Sequence, residues 1–195
     1  MKRQNVRGVT LIELMVVMVL LVMMLMAVVP SISAWIRNTH IRNVATGIQN
    51  GLQRARAEAM RRNTNVRFSL VSLTDPAVMD DSCKLSDGGV SWVVSLDDPT
   101  GKCSTAVSDS TAPRILDKAA GGGANVVQAT STGGAEVVVF NGFGRAATTD
   151  GISSIDIEST KAGDDFRALR IVVGTGGTIR MCEPKVGSST DPRAC

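Results

Sequence analysis

The sequence predicts an α+β protein. One long N-terminal helix, with a membrane-length first half and an amphipathic second half, is laid on a mostly antiparallel β head. Three observations carry this. Sixteen consecutive apolar residues run from Leu14 to Val29. Apolar residues then recur every three or four positions at Ile41, Val44, Ile48, Leu52, Ala55 and Ala59, the stripe of a helix with one buried face. Beyond residue 65 the pattern changes to short alternating runs separated by stretches rich in Gly, Asp, Ser and Thr, as in strands joined by loops.

The first element starts in a basic leader. Lys2, Arg3 and Arg7 precede the apolar run and no acid does, which favours a cytoplasmic N-terminus and an exported C-terminal bulk. Counted from Val9, the run is 21 residues interrupted only by Thr10 and Glu13. At ~1.5 Å per residue it spans roughly 30 Å, one bilayer core. A secretory signal would be shorter and would be followed by a small-residue cleavage site; PSISAWIRNTHIRN offers none. A plain membrane anchor explains the length but not Glu13, since a carboxylate costs ~2.5–3.5 kcal/mol at mid-membrane and less near an end. Cleavage after Gly8 would give Val9 a free α-amino group one helical turn from Glu13. The acid could then pair with its own terminus or with that of a helix stacked alongside, setting the register between packed helices.

Arg7-Gly8-Val9-Thr10-Leu11-Ile12-Glu13-Leu14 resembles the class III leader of type IV prepilins and type II secretion pseudopilins. The resemblance implies that a prepilin peptidase cuts after Gly8 and methylates Val9, where the family usually has Phe. It also implies that Glu13 guides assembly with other pilins or pseudopilins and that the helix bends near Pro30.

The helix is expected from about Thr10 to about Arg62, roughly 80 Å at ~1.5 Å per residue, ending at Asn63-Thr64-Asn65. Arg54, Glu58 and Arg62 are spaced for i,i+4 pairing on an exposed flank. Strands follow around Val66, Phe68 and Leu70 as a half-buried strand, around Trp92, in NVVQA, EVVVF, ISSIDIES and FRALRIVV, and in TIRMCE, the last two flanking a Gly174-Thr175-Gly176-Gly177 hairpin. Segments 73–89, 97–112 and 118–125 read as loops. The expected divisions are a cleaved leader 1–8, a transmembrane and assembly helix 9–30, an amphipathic stem 31–62 and a periplasmic head 63–195.

Charge and cysteine usage fit that division. The chain of 195 residues carries a net +3. Residues 31–67 hold seven Arg against Glu58, a net of +6, and residues 68–195 hold 11 basic and 16 acidic residues, a net of −5. A uniformly basic nucleic-acid binder would lack this split. The stem arginines have no interleaved aromatics to stack bases and read as a solvated face. Cys83, Cys103, Cys182 and Cys195 form no C-x-x-C, and one His leaves little for zinc. Export makes disulfides the natural reading. Cys83 and Cys103 bracket the Trp92 strand and are expected to pair with each other, and closing Cys182 to Cys195 would contribute about 3 kcal/mol on the chain-entropy model; spacing alone leaves the other two connectivities open.

No catalytic set emerges, so the chain reads as a non-enzyme with no cofactor and no metal. GFGRAA (142–147) lacks the helix a dinucleotide site requires and reads as a hairpin connection. Asp80-Asp81, Asp97-Asp98 and Asp164-Asp165 lack EF-hand spacing. His40 stands alone on the stem.

VVVFNGFGRA (137–146), GTIRMC (177–182) and the terminal DPRAC (191–195) look like the FimT/GspH branch of minor pilins and pseudopilins. The resemblance covers both chain ends and hardly touches 73–135. It implies a minor pilin of a type IV pilus, held single-pass in the inner membrane of a Gram-negative bacterium before entering the filament. One alternative is a pseudopilin of type II secretion. Another is a DNA-binding minor pilin for uptake, since some FimT-like members bind DNA through a Gly-Arg-x-Arg hairpin. Here that stretch is Gly177-Thr178-Ile179-Arg180, leaving Arg180, Lys185 and Arg193 as the candidate contacts.

Overall fold

The computed structural model describes residues 9–122, 126–147, 150–161, 163, 166–188 and 190–195, excluding the side chains of 27–31. The leader with Gly8 and the Asp164-Asp165 pair lie outside the described residues, and the side chain of Pro30, where a bend is expected, is among those excluded. Helix α1 spans Leu11–Arg62. Among the described residues nine strands follow: β1 Val66–Ser72, β2 Lys84–Leu85, β3 Ser91–Ser95, β4 Ile115–Ala119, β5 Val127–Ser131, β6 Val137–Phe140, β7 Ser154–Ser159, β8 Leu169–Val173 and β9 Ile179–Cys182. Contacts group the chain into two compact units, Met1–Ile36 and Arg37–Cys195, so the second half of α1 belongs with the strands.

Local chemistry sets both ends of α1. Thr10 caps the start, its Oγ1 accepting from the Glu13 N–H at 3.3 Å. At the other end Asn63 takes φ 48°, the Thr64 N–H reaches the Ala59 carbonyl at 3.2 Å and the Asn63 N–H reaches that of Met60 at 3.4 Å. A left-handed residue satisfying the last carbonyls is the Schellman stop, and Asn tolerates that conformation better than most residues.

In the second unit the strands form two antiparallel sheets. One has the order β2-β1-β3-β4, with β6 also pairing β1; the other is β5-β7-β8-β9. The helical stripe from Ile41 to Ala59 is no more than 9% exposed at any of its six positions. It shares one continuous core with Phe68, Leu70, Trp92, Val138 and Phe140 of the first sheet and with Ile155, Ile157 and Ile171 of the second. Helix and sheet approach closely at Gly51, where a Cβ would meet the Trp92 and Phe68 rings at 2.8–2.9 Å. Those rings stack at 5.9 Å.

Two expectations are corrected. Strand β1 is buried on both faces rather than half-buried, because the loops cover its far side with a second small core of Val71, Cys83, Val93, Cys103 and Ile115. The segments read as loops contain strand β2 and the end of β4. In β4, Ile115 serves the small core and its neighbour Leu116 the main one. Its two buried apolar residues are adjacent and are followed by Asp117 and Lys118, so the strand shows no polar–apolar alternation.

Candidate assembly helix and head surfaces

The first unit's helix is apolar all round. Every described side chain from Leu14 to Met26 is apolar and at least half exposed. Such a helix needs lipid or other helices around it. Among the described residues no helix is by itself long and apolar enough to cross a membrane; the described side chains of this run stop at Met26, and the sequence stays apolar through Val29. Glu13 is exposed in the first turn, where a carboxylate is favoured by the helix dipole. Thr10-Leu11-Ile12-Glu13 has the S/T-x-x-E capping-box pattern, a local role for these residues that the pattern alone signals.

In the second unit, Glu58 is not on an exposed flank. It is 4% exposed and gathers three arginines: Arg61 at 2.6 Å, Arg62 at 2.9 Å and Arg54 at 3.3 Å. Burial pushes the Glu58 carboxyl up; hydrogen bonds from Arg61 and Arg62, with the Arg61 and Arg54 charges, outweigh it and leave it below the ordinary 4.5. Arg62 also reaches Asp109 at 3.5 Å. Arg61 and Arg62 sit in the last helical turn, where cations suit the dipole.

The end of α1 meets two turns. The 141–145 turn is closed by Asn141, whose Oδ1 accepts from the Phe143 and Arg145 N–H groups at 3.0 and 3.1 Å. Arg56 Nε donates to the Gly144 carbonyl at 3.1 Å. At Gly177, φ +78° in the β8–β9 hairpin, an added Cβ would collide with that same carbonyl. The GFGRAA stretch is thus a hairpin connection locked to the helix, with Phe143 at its apex 83% exposed. Neither Arg56 nor this three-way junction stands out in the sequence, because Arg56 and Gly144 are 88 residues apart and Gly177 lies further still along the chain.

Cys83 bonds Cys103 and Cys182 bonds Cys195. The first bridge anchors a loop whose carbonyls at Cys103, Ser104 and Thr105 accept from the Lys118 ammonium at 2.6, 3.0 and 2.8 Å. The second closes the segment holding Lys185 and Arg193, with Arg180 just outside. Arg180 donates to the Cys195 main-chain oxygen at 3.0 Å. Arg193 pairs with Asp191 at 2.7 Å and lies 3.9 Å from Glu183. Hydrogen bonds from the Arg193 side chain and backbone hold the Asp191 carboxyl down at about 2. The disulfide-closed segment thus holds Lys185 and Arg193 and is bonded at its last residue by Arg180, and Arg193 is matched by acids.

The acids of the Asp80-Asp81 and Asp97-Asp98 pairs have local partners. Asp80 accepts from the Ser82 N–H, Asp81 from Ser104, Asp98 from Thr100, and Asp97 pairs with Arg114. Among the described residues no three potential ligands group around a metal position. His40 lines a hollow of about 300 Å³ with Asn43, Gly47 and Trp92.

Two crystal structures of the Pseudomonas aeruginosa (strain PAO1) type IV minor pilin FimU are similar to the chain. The first matches with TM-score 0.48 and 15% identity over 75% of this chain and 94% of that one. The second matches with TM-score 0.45 and 14% identity over 74% and 97%. Among curated proteins no sequence relative matches. Residues 3–29 match the prokaryotic N-terminal methylation motif. Residues 44–177, more than two thirds of the chain, match the family described as type II transport protein GspH; the chain belongs to this family of pilin-like minor pilins and pseudopilins.

Proposed function

We propose that the chain is a minor pilin of a type IV pilus, a structural and assembly protein rather than an enzyme. A prepilin peptidase cuts after Gly8 and Val9 is methylated. Residues 9–30 hold the protein single-pass in the inner membrane, with the head in the periplasm. The same helix then packs among other pilins, with Glu13 pairing with an N-terminal amine to fix the stagger. The observation that carries the reading is the all-round apolar helix whose single acid sits one turn from a capped start, within a matched methylation motif. Mass and N-terminal sequence of native protein test it. A start at methylated Val9 is expected; a start at Met1, or a Gly8 variant processed like the native chain, refutes it.

A second reading, a minor pseudopilin of type II secretion, is favoured by the family matched over residues 44–177. Deleting the gene separates the two: loss of pili with secretion intact supports the first, and the reverse supports the second. A DNA-uptake role would rest on Arg180, Lys185 and Arg193. Across residues 180–195 these three cations face Glu183 and Asp191, a surplus of one, so few phosphate contacts remain to drive binding. Absence of a duplex shift at low salt, or a shift untouched by neutralising the three, removes that role.

A further inference from the structure

The apolar character of the first unit does not stop with the Val29 end of the run. Ile32, Trp35 and Ile36 are 49, 69 and 45% exposed. Their i, i+3, i+4 spacing puts them on one face of α1. Nine residues separate Ile32 from Ile41, two and a half turns at about 3.6 residues each, so the repeat that buries Ile41 does not carry back to Ile32. No charged residue occurs between Glu13 and Arg37. The chain has two Trp and no Tyr; Trp92 is in the core at 6% exposure and Trp35 is on this stripe.

We propose that Ile32, Trp35 and Ile36 form an interfacial foot that seats the helix in the phospholipid headgroup layer on the head side of the bilayer. The proposal rests on the membrane reading above. Length selects lipid as the occupant. Residues 9–29 fill a hydrocarbon core of ~30 Å, and the headgroup layers extend the bilayer to ~40–45 Å, about 5–8 Å on each side. At ~1.5 Å per residue, positions 32–36 begin about 4 Å and end about 10 Å past Val29. Helical side chains lean toward the N-terminus, which brings the Trp35 ring back toward the bilayer. A stripe of this kind mixes aliphatic side chains with an indole N–H, and Trp is enriched at this depth because its ring is apolar and its N–H is polar. The foot opposes withdrawal of the helix from the bilayer before assembly.

The test reconstitutes the full-length chain into phosphatidylethanolamine–phosphatidylglycerol vesicles, with bromine on the acyl chain near the glycerol or near the chain end. The difference in emission between the native chain and Trp35→Phe isolates Trp35, since Trp92 is common to both. The expected result is flotation with the vesicles, Trp35 emission at shorter wavelength than in water, and greater loss of intensity with the shallow bromine than with the deep one. Flotation with unshifted, unquenched Trp35 emission overturns the foot and leaves the membrane reading standing. A shift that grows only with the protein-to-lipid ratio and resists bromine assigns the stripe to a second copy and also overturns it. Failure to float removes the membrane reading, and the foot with it.

Discussion

Replacing Glu58 by Gln keeps the side-chain shape and removes one charge beneath three arginines. Hydrogen bonds to charged groups contribute about 1.5–3 kcal/mol net, but the three arginines do not count equally. Arg54 and Arg61 are 54 and 62% exposed and regain water when released, whereas Arg62 is 22% exposed. Exposed pairs contribute only ~0–1 kcal/mol, so most of the loss falls on Arg62. The expected cost is about 2 kcal/mol, or roughly 4–8 °C in Tm for a chain this long. Urea unfolding of the full chain in detergent, followed by circular dichroism, measures it. The pH dependence identifies the source. The folded carboxyl lies below its ordinary value, so its contribution is fully present above about pH 4.5 and is lost as pH falls through the folded pKa. Native and Glu58→Gln curves should therefore stand apart near neutrality and converge in acid, while the other carboxylates titrate in both. A gap under about 0.5 kcal/mol at neutral pH, or a larger gap that persists unchanged into acid, would refute the reasoning.

Two helix glycines should respond in opposite directions. Gly47→Ala, whose new Cβ would meet nothing within 4 Å beyond its chain neighbours and its own helix backbone, should stabilise by about 0.5–1 kcal/mol through helix propensity. Gly51→Ala should destabilise by about 1–3 kcal/mol despite that gain, because its Cβ meets the Trp92 and Phe68 rings; thermal unfolding of the two side by side decides. Gly177→Ala should lower Tm and weaken amide-exchange protection in the 141–145 turn as well as in its own hairpin, since the new Cβ would displace the Gly144 carbonyl that Arg56 holds. Glu13→Leu should leave membrane fractionation intact, since it removes a charge costly to insert, yet deplete the protein from sheared filaments; undiminished incorporation would sink the register role.

The helix was legible to within a residue because its signals are local: a long apolar run, a 3-4 repeat and an Asn-Thr-Asn stop. Seven strands were legible for the same reason. Strand β4 was not, because Ile115 and Leu116 point into different cores and the β3–β4 register shifts at Val94/Ser95, which removes the alternation that marks a one-sided strand. Glu58 was misplaced because helical spacing gives the pairing but not the depth: position 58 adjoins the buried 55–59 stripe, and only the packed head closes over it. The junction of Arg56, Gly144 and Gly177 depends on three segments distant in sequence, so no window contains it.

Glu13 shows why a residue legible in sequence can still hold two roles. As the third residue after Thr10, it lies where a first-turn carboxylate steadies any helix start by about 0.3–1 kcal/mol. That is less than the ~2.5–3.5 kcal/mol a carboxylate costs at mid-membrane, so capping alone does not account for an acid beside sixteen apolar residues unless the acid lies near the membrane edge. On the proposed reading, pairing with an amine exposed by cleavage would offset the difference, and pairing with a neighbour's amine rather than its own would tie that gain to one stagger between helices. On the proposed reading the two roles would not compete: the Thr10 cap orders the turn that presents the carboxylate, and a register pair would select the stagger in which it is matched.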